Sequence, residues 1–184
     1  MKKHLLALSL ALFLPLCAHA ACQCDEDNGV EDDDGNYRPY NYVGLKDGIA
    51  HYMVPGVQGN ANSYGLYAGH RYNRIFATEF AYDYLGKYKD VTSDGHAYAF
   101  SYSGVGYYDF TDNFSFIGKV GAAYTHPSNA SLLVKNSVDL TAGVGFDWRV
   151  SSNWAVRLEY DNYKLAIPNK VNVTNGFIGI AMKY

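Results

Sequence analysis

Every second residue between Val138 and Trp148 is apolar, and an Asp, Thr or Gly stands at each position between them. Side chains of a β-strand point alternately to its two faces, so this segment predicts a strand with one apolar and one polar face. The alternation recurs along most of the chain. Strands of this kind must either pack their apolar faces against one another, or expose those faces to lipid.

Eight segments carry the alternation, each about ten residues long, which is the length that a tilted strand needs to cross a membrane. They are Tyr42–Tyr52, Tyr64–Tyr72, Phe76–Leu85, His96–Tyr108, Phe114–Thr125, Ser137–Arg149, Trp154–Tyr163 and Val173–Tyr184. The three connections predicted to be short turns are Asn73–Ile75, Thr111–Asn113 and Val150–Asn153; the four predicted to be longer loops are Met53–Ser63, Gly86–Gly95, His126–Asn136 and Asn162–Asn172. Short turns at one end and longer loops at the other are typical of outer-membrane barrels.

The sequence therefore predicts an all-β fold, an eight-stranded antiparallel up-and-down transmembrane β-barrel with short periplasmic turns and longer extracellular loops. A soluble, lipocalin-like barrel with its charged faces in water is the alternative. Phe76, Phe114, Trp148 and Trp154 all stand at the ends of apolar faces, where a membrane protein places its interfacial aromatic girdle. This placement favours the membrane.

The first forty residues predict an exported chain. A basic start, the apolar run Leu5–Leu16 and the small-x-small site ending at Ala20 predict a signal peptide, residues 1–20, cleaved after Ala20. Residues 21–40 form an acidic leader, which we expect to be disordered in the periplasm, since like charges repel and little apolar surface is available to bury. A Ca²⁺ site is the alternative there, but the carboxylates lack the spacing of a calcium loop. Residues 41–184 are the predicted barrel domain.

Composition restricts the function further. The chain has 184 residues and a formal net charge of −3, so it shows no basic surface for nucleic acid. His51, His70, His96 and His126 are scattered at strand ends without ligand spacing. We therefore predict no metal and no cofactor, and we expect a monomer.

Several segments are similar to one known family. They are Gly65–Asn73 followed by Phe76–Tyr82, then Asn113–Gly121, Trp154–Tyr160 and a last strand that closes on Tyr184. In order and spacing they resemble the OmpA-like and opacity-type small outer-membrane β-barrels, from about Tyr42 onward. The acidic leader departs from that pattern, and the anchoring role of OmpA proteins that carry a peptidoglycan-binding domain is not implied.

The resemblance implies a location in the cell outer membrane, in contact with outer-membrane lipid and lipopolysaccharide. It also implies an assembly signal that the barrel-assembly machinery recognises in the last strand. The residues of that signal are Ile178, Ile180, Met182 and Tyr184.

The polar faces of the strands predict a charge network inside the barrel. An eight-stranded barrel is just wide enough for side chains to fill it, and unpaired ions there are unfavourable, so the charges must pair. The predicted network is Arg71, Glu79, Asp83, Lys119, Asp139, Asp147, Arg157, Glu159, Asp161 and Lys183. We expect a neutralised plug, hence a non-porin protein, rather than an ion path.

Two functions remain open from the sequence. The preferred one is a structural or surface-interaction role (envelope integrity, adhesion or host-factor binding) through exposed loops. The loop segments are Asn60–Tyr64, Lys87–Asp90 and Lys164–Lys170.

The alternative is an enzyme. Thr125–Asn129 resembles the His-x-Ser-Asn motif of outer-membrane lipid A deacylases, which implies Ser128 as nucleophile and His126 as base, with Asp139 the nearest acid. The match departs from that family, which uses Glu as the acid and carries the motif closer to its C-terminal end. We therefore expect no catalysis.

Overall fold

The computed structural model describes residues 37–54, 57–89, 94–128, 136–165 and 171–184, and these residues form eight β-strands. The strands are β1 (Tyr40–Val54), β2 (Val57–Arg71), β3 (Phe76–Lys89), β4 (Asp94–Thr111), β5 (Phe114–Ser128), β6 (Ser137–Arg149), β7 (Trp154–Leu165) and β8 (Val171–Lys183). The predicted signal peptide and most of the predicted acidic leader lie outside the described residues.

Each strand pairs antiparallel with the next, and β8 returns to pair with β1, so the sheet closes on itself. The predicted eight-stranded antiparallel barrel is confirmed. Closure leaves no free sheet edge, which is the condition for a β-structure to stand in lipid. Over the described residues, no helix has the length and apolar character needed to cross a membrane.

Seven of the eight strands are longer than the sequence predicted, whereas β6 has the predicted bounds, and the strands have 12 to 18 residues. The loops predicted at Met53–Ser63 and Gly86–Gly95 are wrong in their bounds. β1 extends to Val54 and β2 already begins at Val57, whereas β3 extends to Lys89 and β4 begins at Asp94. β3, β5 and β7 also extend into the connections predicted as loops. Polar outward residues at these strand ends reflect contact with water, not the end of backbone pairing, because hydrogen bonding between strands does not depend on which side chains face out.

The opposite ends of the strands are joined by three turns, at residues 72–75, 112–113 and 150–153, where the sequence predicted short turns. Side-chain oxygens accept backbone hydrogen bonds at all three, and at residues 112–113 the Thr111 hydroxyl accepts one from the N–H of Asn113 (3.3 Å). The Asn73 side-chain oxygen accepts hydrogen bonds from the backbone N–H groups of Ile75 (2.9 Å) and Phe76 (2.8 Å). The Ser151 hydroxyl oxygen accepts one from the N–H of Trp154 (3.1 Å). Such short polar side chains fix tight turns by bonding to backbone groups a few residues ahead.

The outer face of the barrel is apolar. Leu140 on β6 is 74 % exposed, whereas its neighbour Thr141 is 6 % exposed and points inward. Exposed large apolar side chains also include Leu45, Leu66, Phe80, Val120, Val144, Leu158 and Ile178. A monomer in water rarely exposes so much contiguous apolar surface, so lipid is the medium that fits this face. Phe76, Phe114 and Trp148 are exposed at the turn end, where the girdle was predicted.

Two buried apolar clusters lie on the two sides of the middle of the interior. The extracellular cluster contains Ala50, Tyr52, Ala61, Leu85, Ala97, Ala99, Ala123, Tyr163 and Val173. The periplasmic cluster contains Tyr42, Tyr67, Ala77, Ala81, Val105, Tyr107, Ile117, Ala155 and Ala181. On β1, Lys46 stands between Tyr42 and Ala50, members of the two clusters. The charged residues therefore lie largely between two apolar layers.

Candidate functional site

Seven buried charged side chains meet in the middle of the barrel interior. We call them the central charge cluster: Lys46, Glu79, Asp83, Lys119, Arg157, Glu159 and Asp161. All seven come from the odd-numbered strands β1, β3, β5 and β7. The even-numbered strands leave room for them. At Gly65 and Gly143, for example, a Cβ atom would collide with the carboxylates of Asp83 and Asp161 respectively.

Lys46 contacts three carboxylates. Its Nζ atom lies 3.0 Å from Glu159 Oε1, 3.1 Å from Asp83 Oδ1 and 3.3 Å from Asp161 Oδ2. The ammonium group also lies 4.2 Å from the centre of the Phe177 ring, close enough for a cation–π contact. The ammonium group donates hydrogen bonds to Glu159 and Asp161, and its contact with Asp83 is an ion pair.

Lys119 joins β5 to the same carboxylates. Its Nζ atom lies 2.8 Å from Glu159 Oε1, 3.1 Å from Glu79 Oε1 and 3.5 Å from Asp161 Oδ2. Lys46 and Lys119 thus share Glu159 and Asp161, so the two lysines belong to one network and not to two separate pairs. The contribution of such a network to stability is not the sum of separate pairs, because each charge interacts with several others.

Arg157 extends the network toward the periplasm. Its guanidinium group donates to Glu79 (2.5 Å), to Asp147 (3.4 Å) and to the hydroxyl of Tyr107 (3.0 Å). It also lies over the ring of Tyr67, 4.7 Å from its centre. A planar guanidinium suits this position, since it stacks on an aromatic ring while its edges donate hydrogen bonds.

Tyrosine hydroxyls satisfy further carboxylate oxygens. Tyr42 donates to Glu79 (3.0 Å), and Tyr163 donates to Asp83 (2.6 Å). Both tyrosines belong to the apolar clusters at the two ends. Each cluster is therefore bonded to the charges that it covers.

A second group of charges lies at the periplasmic end of the interior. Arg71 Nη2 is 3.1 Å from Asp109 Oδ2 and also donates to the backbone carbonyl of Arg74 in the first turn. Arg149 approaches the other oxygen of Asp109 at 3.8 Å, and the Ser115 hydroxyl donates to that oxygen at 2.5 Å. These contacts link turns to strands at this end of the barrel.

The structure divides the residues of the predicted network among three places. Glu79, Asp83, Lys119, Arg157, Glu159 and Asp161 belong to the central charge cluster, and Asp147 contacts it through Arg157. Arg71 lies in the periplasmic group, and Lys183 is buried at that end with its Nζ 5.0 Å from the centre of the Tyr40 ring. Asp139 is half-buried near the other end, close to the start of β6.

The predicted network omitted Lys46, although its place in the sequence carried a signal. Lys46 alternates in step with Tyr42 and Ala50, whereas Leu45 and Ile49 alternate on the outward face. Asp109 and the tyrosines that bind carboxylates were also missed. A tyrosine side chain is found both in protein interiors and at membrane interfaces, so the alternation pattern alone does not predict which carboxylate its hydroxyl group binds.

The residues of the implied assembly signal all face outward, three of them on β8 and Tyr184 directly after its end. Ile178 is 57 % exposed and Tyr184 is 68 % exposed, with Ile180 and Met182 between them on the same face. The backbone N–H of Tyr184 donates to the carbonyl of Asn41 at 3.0 Å, so the C-terminal residue is tied to the start of β1.

The structure does not bring the three candidate catalytic residues together. His126 is exposed on the outward face of β5, and its Nδ1 atom lies 2.7 Å from the side-chain oxygen of Asn136. Ser128 follows on the same face by strand alternation, whereas Asp139 alternates in step with the interior residue Thr141. In the described parts of the chain, no group of three His, Cys, Asp or Glu side chains is placed to hold a metal ion.

Solved structures of small outer-membrane barrels have the same fold. Ail of Yersinia pestis, solved in complex with the heparin analogue sucrose octasulfate, superposes with a TM-score of 0.53 at 15 % identity over 79 % of this chain and 97 % of Ail. Neisserial surface protein A gives 0.59 at 15 % identity, over 79 % and 97 %. OprG of Pseudomonas aeruginosa gives 0.52 at 14 % identity, over 79 % and 95 %. Identities this low establish the fold alone. No curated protein matches the chain.

A closed eight-stranded barrel with an apolar outer face and a charged, side-chain-filled interior defines a small outer-membrane β-barrel. The model of the OmpA-like transmembrane domain family matches residues 39–179, more than half of the chain. The chain belongs to this family.

Proposed function

We propose that this protein is a non-porin, non-enzymatic barrel of the outer membrane, a rigid scaffold that supports the envelope and presents its extracellular end to surface ligands. The observation that carries the proposal is the interior: a layer of paired charges lies between two apolar clusters, so side chains occupy the space that a pore would need. We further propose that it is monomeric, that its signal peptide is cleaved after Ala20, and that it contacts lipopolysaccharide.

Electrophoresis of purified outer membranes, with and without boiling, tests the proposed scaffold. A closed barrel keeps its structure in detergent, because its backbone hydrogen bonds are all internal, and we expect it to migrate differently after heating. N-terminal sequencing of the same band should begin at Ala21. Recovery of the folded chain from aqueous buffer without any amphiphile would overturn the proposal.

The proposed assembly signal has a matched control. Tyr184→Ser removes the terminal aromatic side chain that the assembly machinery is proposed to recognise, and we expect less protein in the outer membrane and more degraded protein in the periplasm. Phe110→Ser removes an aromatic side chain that is likewise exposed at the turn end, at 56 % against 68 %, but is not terminal. Equal losses for the two variants would contradict a specific role for the C-terminus.

The proposed surface role concerns the extracellular strand ends. Lys87 on β3 and Lys164 on β7 are exposed there, and Ail, a barrel of the same fold, was solved with a heparin analogue bound. Sucrose octasulfate offered to vesicles that contain the protein should bind less well to the variant Lys87→Glu/Lys164→Glu. Arg74→Glu reverses a charge at the periplasmic end and should leave binding unchanged. Equal binding to all three proteins would contradict this surface.

The non-enzymatic part of the proposal is tested with lipopolysaccharide as substrate. We expect the purified protein to release no 3-hydroxy fatty acid, because His126 and Asp139 belong to opposite faces of the sheet. Release by the wild-type protein that Ser128→Ala abolished would establish the deacylase instead.

A further inference from the structure

One charged side chain faces away from the interior, within the apolar surface of β1. Lys46 points inward and Asp47 outward, so Asp47 is exposed between Leu45 and Ile49, which are 66 % and 57 % exposed. Its partners across the sheet are Tyr64 on β2 and Ile178 on β8. Within the described residues, the Asp47 carboxylate makes no hydrogen bond and no ion pair.

The position of Asp47 places it well inside an ordinary hydrophobic band. It stands six residues after Asn41, whose backbone pairs with Tyr184 at the periplasmic end. A strand rises about 3.3 Å per residue and tilts by about 40°, so Asp47 lies about 15 Å above that end. The outward apolar band of an outer-membrane barrel is about 25 Å tall. If the band were level around the barrel, Asp47 would lie about 10 Å below its upper edge.

Polar residues continue from Asp47 to the extracellular end. We call this surface the polar seam: Asp47, His51, Asn60, Asn62, Asn162 and Thr174, all outward by alternation on β1, β2, β7 and β8. Four of the six are exposed, whereas Asn162 is half-buried and Thr174 is 7 % exposed. Thr174 pairs with His51 on one side and Asn162 on the other, and His51 Nδ1 lies 2.6 Å from the Asn60 side-chain oxygen. The polar seam is therefore continuous across four strands.

The other side of the barrel is aromatic over the same span. Tyr82, Tyr84, Tyr98, Phe100, Tyr102 and Tyr124 face outward on β3, β4 and β5. They pack together, with ring centres 4.7 Å apart for Tyr82 and Phe100 and 5.2 Å apart for Tyr84 and Tyr98. Aromatic rings of this kind mark the border between hydrocarbon and head groups. On this side the border lies higher than Asp47.

We propose that the polar head groups of the outer leaflet descend along the polar seam as far as Asp47. The hydrophobic band of the barrel is then lower beside β7, β8, β1 and β2 than beside β3, β4 and β5, and the outer leaflet is locally thinned at the seam. The inference rests on the outer-membrane location of the barrel and goes beyond the scaffold role.

Two physical arguments select head groups as the occupant. The polar seam opens onto the extracellular end, and Asn62 on β2, which pairs with Ile49, connects Asp47 to Asn60 and His51. Water and head groups therefore reach Asp47 along polar side chains beside Ile49, and a bilayer thins locally more readily than it accepts an ion. A second copy of the chain fits less well. A two-fold axis along the membrane normal would set the two Asp47 carboxylates facing each other at the same depth.

Spin labels at matched depths test the proposal. Gly176→Cys lies on β8 at the level of the polar seam, eight residues from Tyr184, and a side chain there meets open space. Ala122→Cys lies on β5, eight residues from Phe114, on the aromatic side. Both labels are made with Cys22 and Cys24 replaced by Ser, and each protein is reconstituted in phosphatidylcholine vesicles. We expect several-fold greater access of a water-soluble nickel complex to the label at 176.

Further variants make the result decisive. Asp47→Leu/Asn62→Leu should lower nickel access at 176, whereas Asp112→Leu, in a periplasmic turn, should leave it unchanged. If Gly176→Cys or Ala122→Cys fails to give the heat-modifiable band, Ile49→Cys and Tyr102→Cys form a second matched pair, because Ile49 pairs with Gly176 and Tyr102 pairs with Ala122. Equal access at the two labels of a pair would overturn the proposal. So would spin–spin broadening at 176 that disappears on dilution with lipid, because a second copy would then cover the polar seam.

Discussion

At the scale of single residues, Lys46 is the side chain on which the central charge cluster most depends. It forms ion pairs with Asp83, Glu159 and Asp161, and all four residues are buried. Lys46→Met would leave these carboxylates short of one cation. Removing one partner from a buried ion network costs about 3–5 kcal/mol, and we expect a loss of that size in the free energy of unfolding by urea in lipid vesicles.

The control for this prediction is Lys164→Met, which removes an exposed lysine and should change the unfolding free energy by less than about 0.5 kcal/mol. Adding Asp83→Asn to Lys46→Met removes part of the excess negative charge, so the double variant should lose less than the two single losses combined. Strict additivity would contradict the network.

Two glycines on β1 and β2 are explained by the tyrosines opposite them. Gly44 pairs with Tyr67 and Gly69 pairs with Tyr42, and in each pair the ring lies where the glycine would carry a Cβ atom. Gly44→Ala should therefore push Tyr67 out of place and destabilise the barrel by about 1–3 kcal/mol in the same urea assay. Gly118→Ala is the matched control, since a Cβ there meets nothing within 4 Å. A loss as large at 118 would argue that the backbone, not the ring, requires glycine.

At the scale of the strand, the alternation of apolar and polar residues predicted where each strand lies in the chain, but it predicted the full length of β6 alone. The even positions of β6 were correctly predicted to face outward, because one residue of slip would turn every apolar side chain of the strand inward. Both ends of β6 were correctly predicted, but every other strand extends beyond its predicted extracellular end, since pairing continues where the apolar pattern stops. Gly86 illustrates a feature that alternation does not encode: its φ of 82° accompanies a register shift between Tyr84 and Lys87.

The sequence also could not predict which interior charges contact one another. Lys46 on β1 meets Glu159 on β7, two strands away around the barrel and 113 residues away in the sequence, and no local pattern encodes this contact. It follows from the register in which all eight strands close. The alternation of polar and apolar residues predicts which charges lie on the inner face, whereas the closure of the barrel determines which of them are in contact.

A depth gradient along β6 tests which of its faces lipid covers. Val144 is 50 % exposed four residues from Trp148, near the middle of the band, so Val144→Arg should cost about 2–4 kcal/mol of unfolding free energy. Val138 is 69 % exposed ten residues from Trp148, near the upper edge, and Val138→Arg should cost about 0–1 kcal/mol. Equal costs at the two depths in lipid vesicles would place water, not hydrocarbon, along this face.

At the scale of the whole molecule, closure of the sheet and filling of the interior act together. The β1–β8 pairing removes both sheet edges, and the barrel it closes is narrow enough for two apolar clusters and one charged layer to fill. Neither the closed sheet nor the filled interior alone would keep the charged side chains away from both water and lipid. An unfilled barrel would admit water to the lysines and carboxylates, and the same charges in an open sheet would face lipid.

The filled interior predicts that the wild-type protein in a planar bilayer carries no steady current. An ion would have to displace both apolar clusters and then break into a network in which Lys119 already pairs with Glu79 and Glu159. A porin of sixteen strands, which holds an aqueous channel, serves as the positive control. The variant Lys119→Met/Glu159→Gln removes one charge of each sign, and it should stay closed because the two apolar clusters remain. Stable open steps of porin size from the wild-type protein would mean that the charged layer lines a pore, and the scaffold role would then give way to transport.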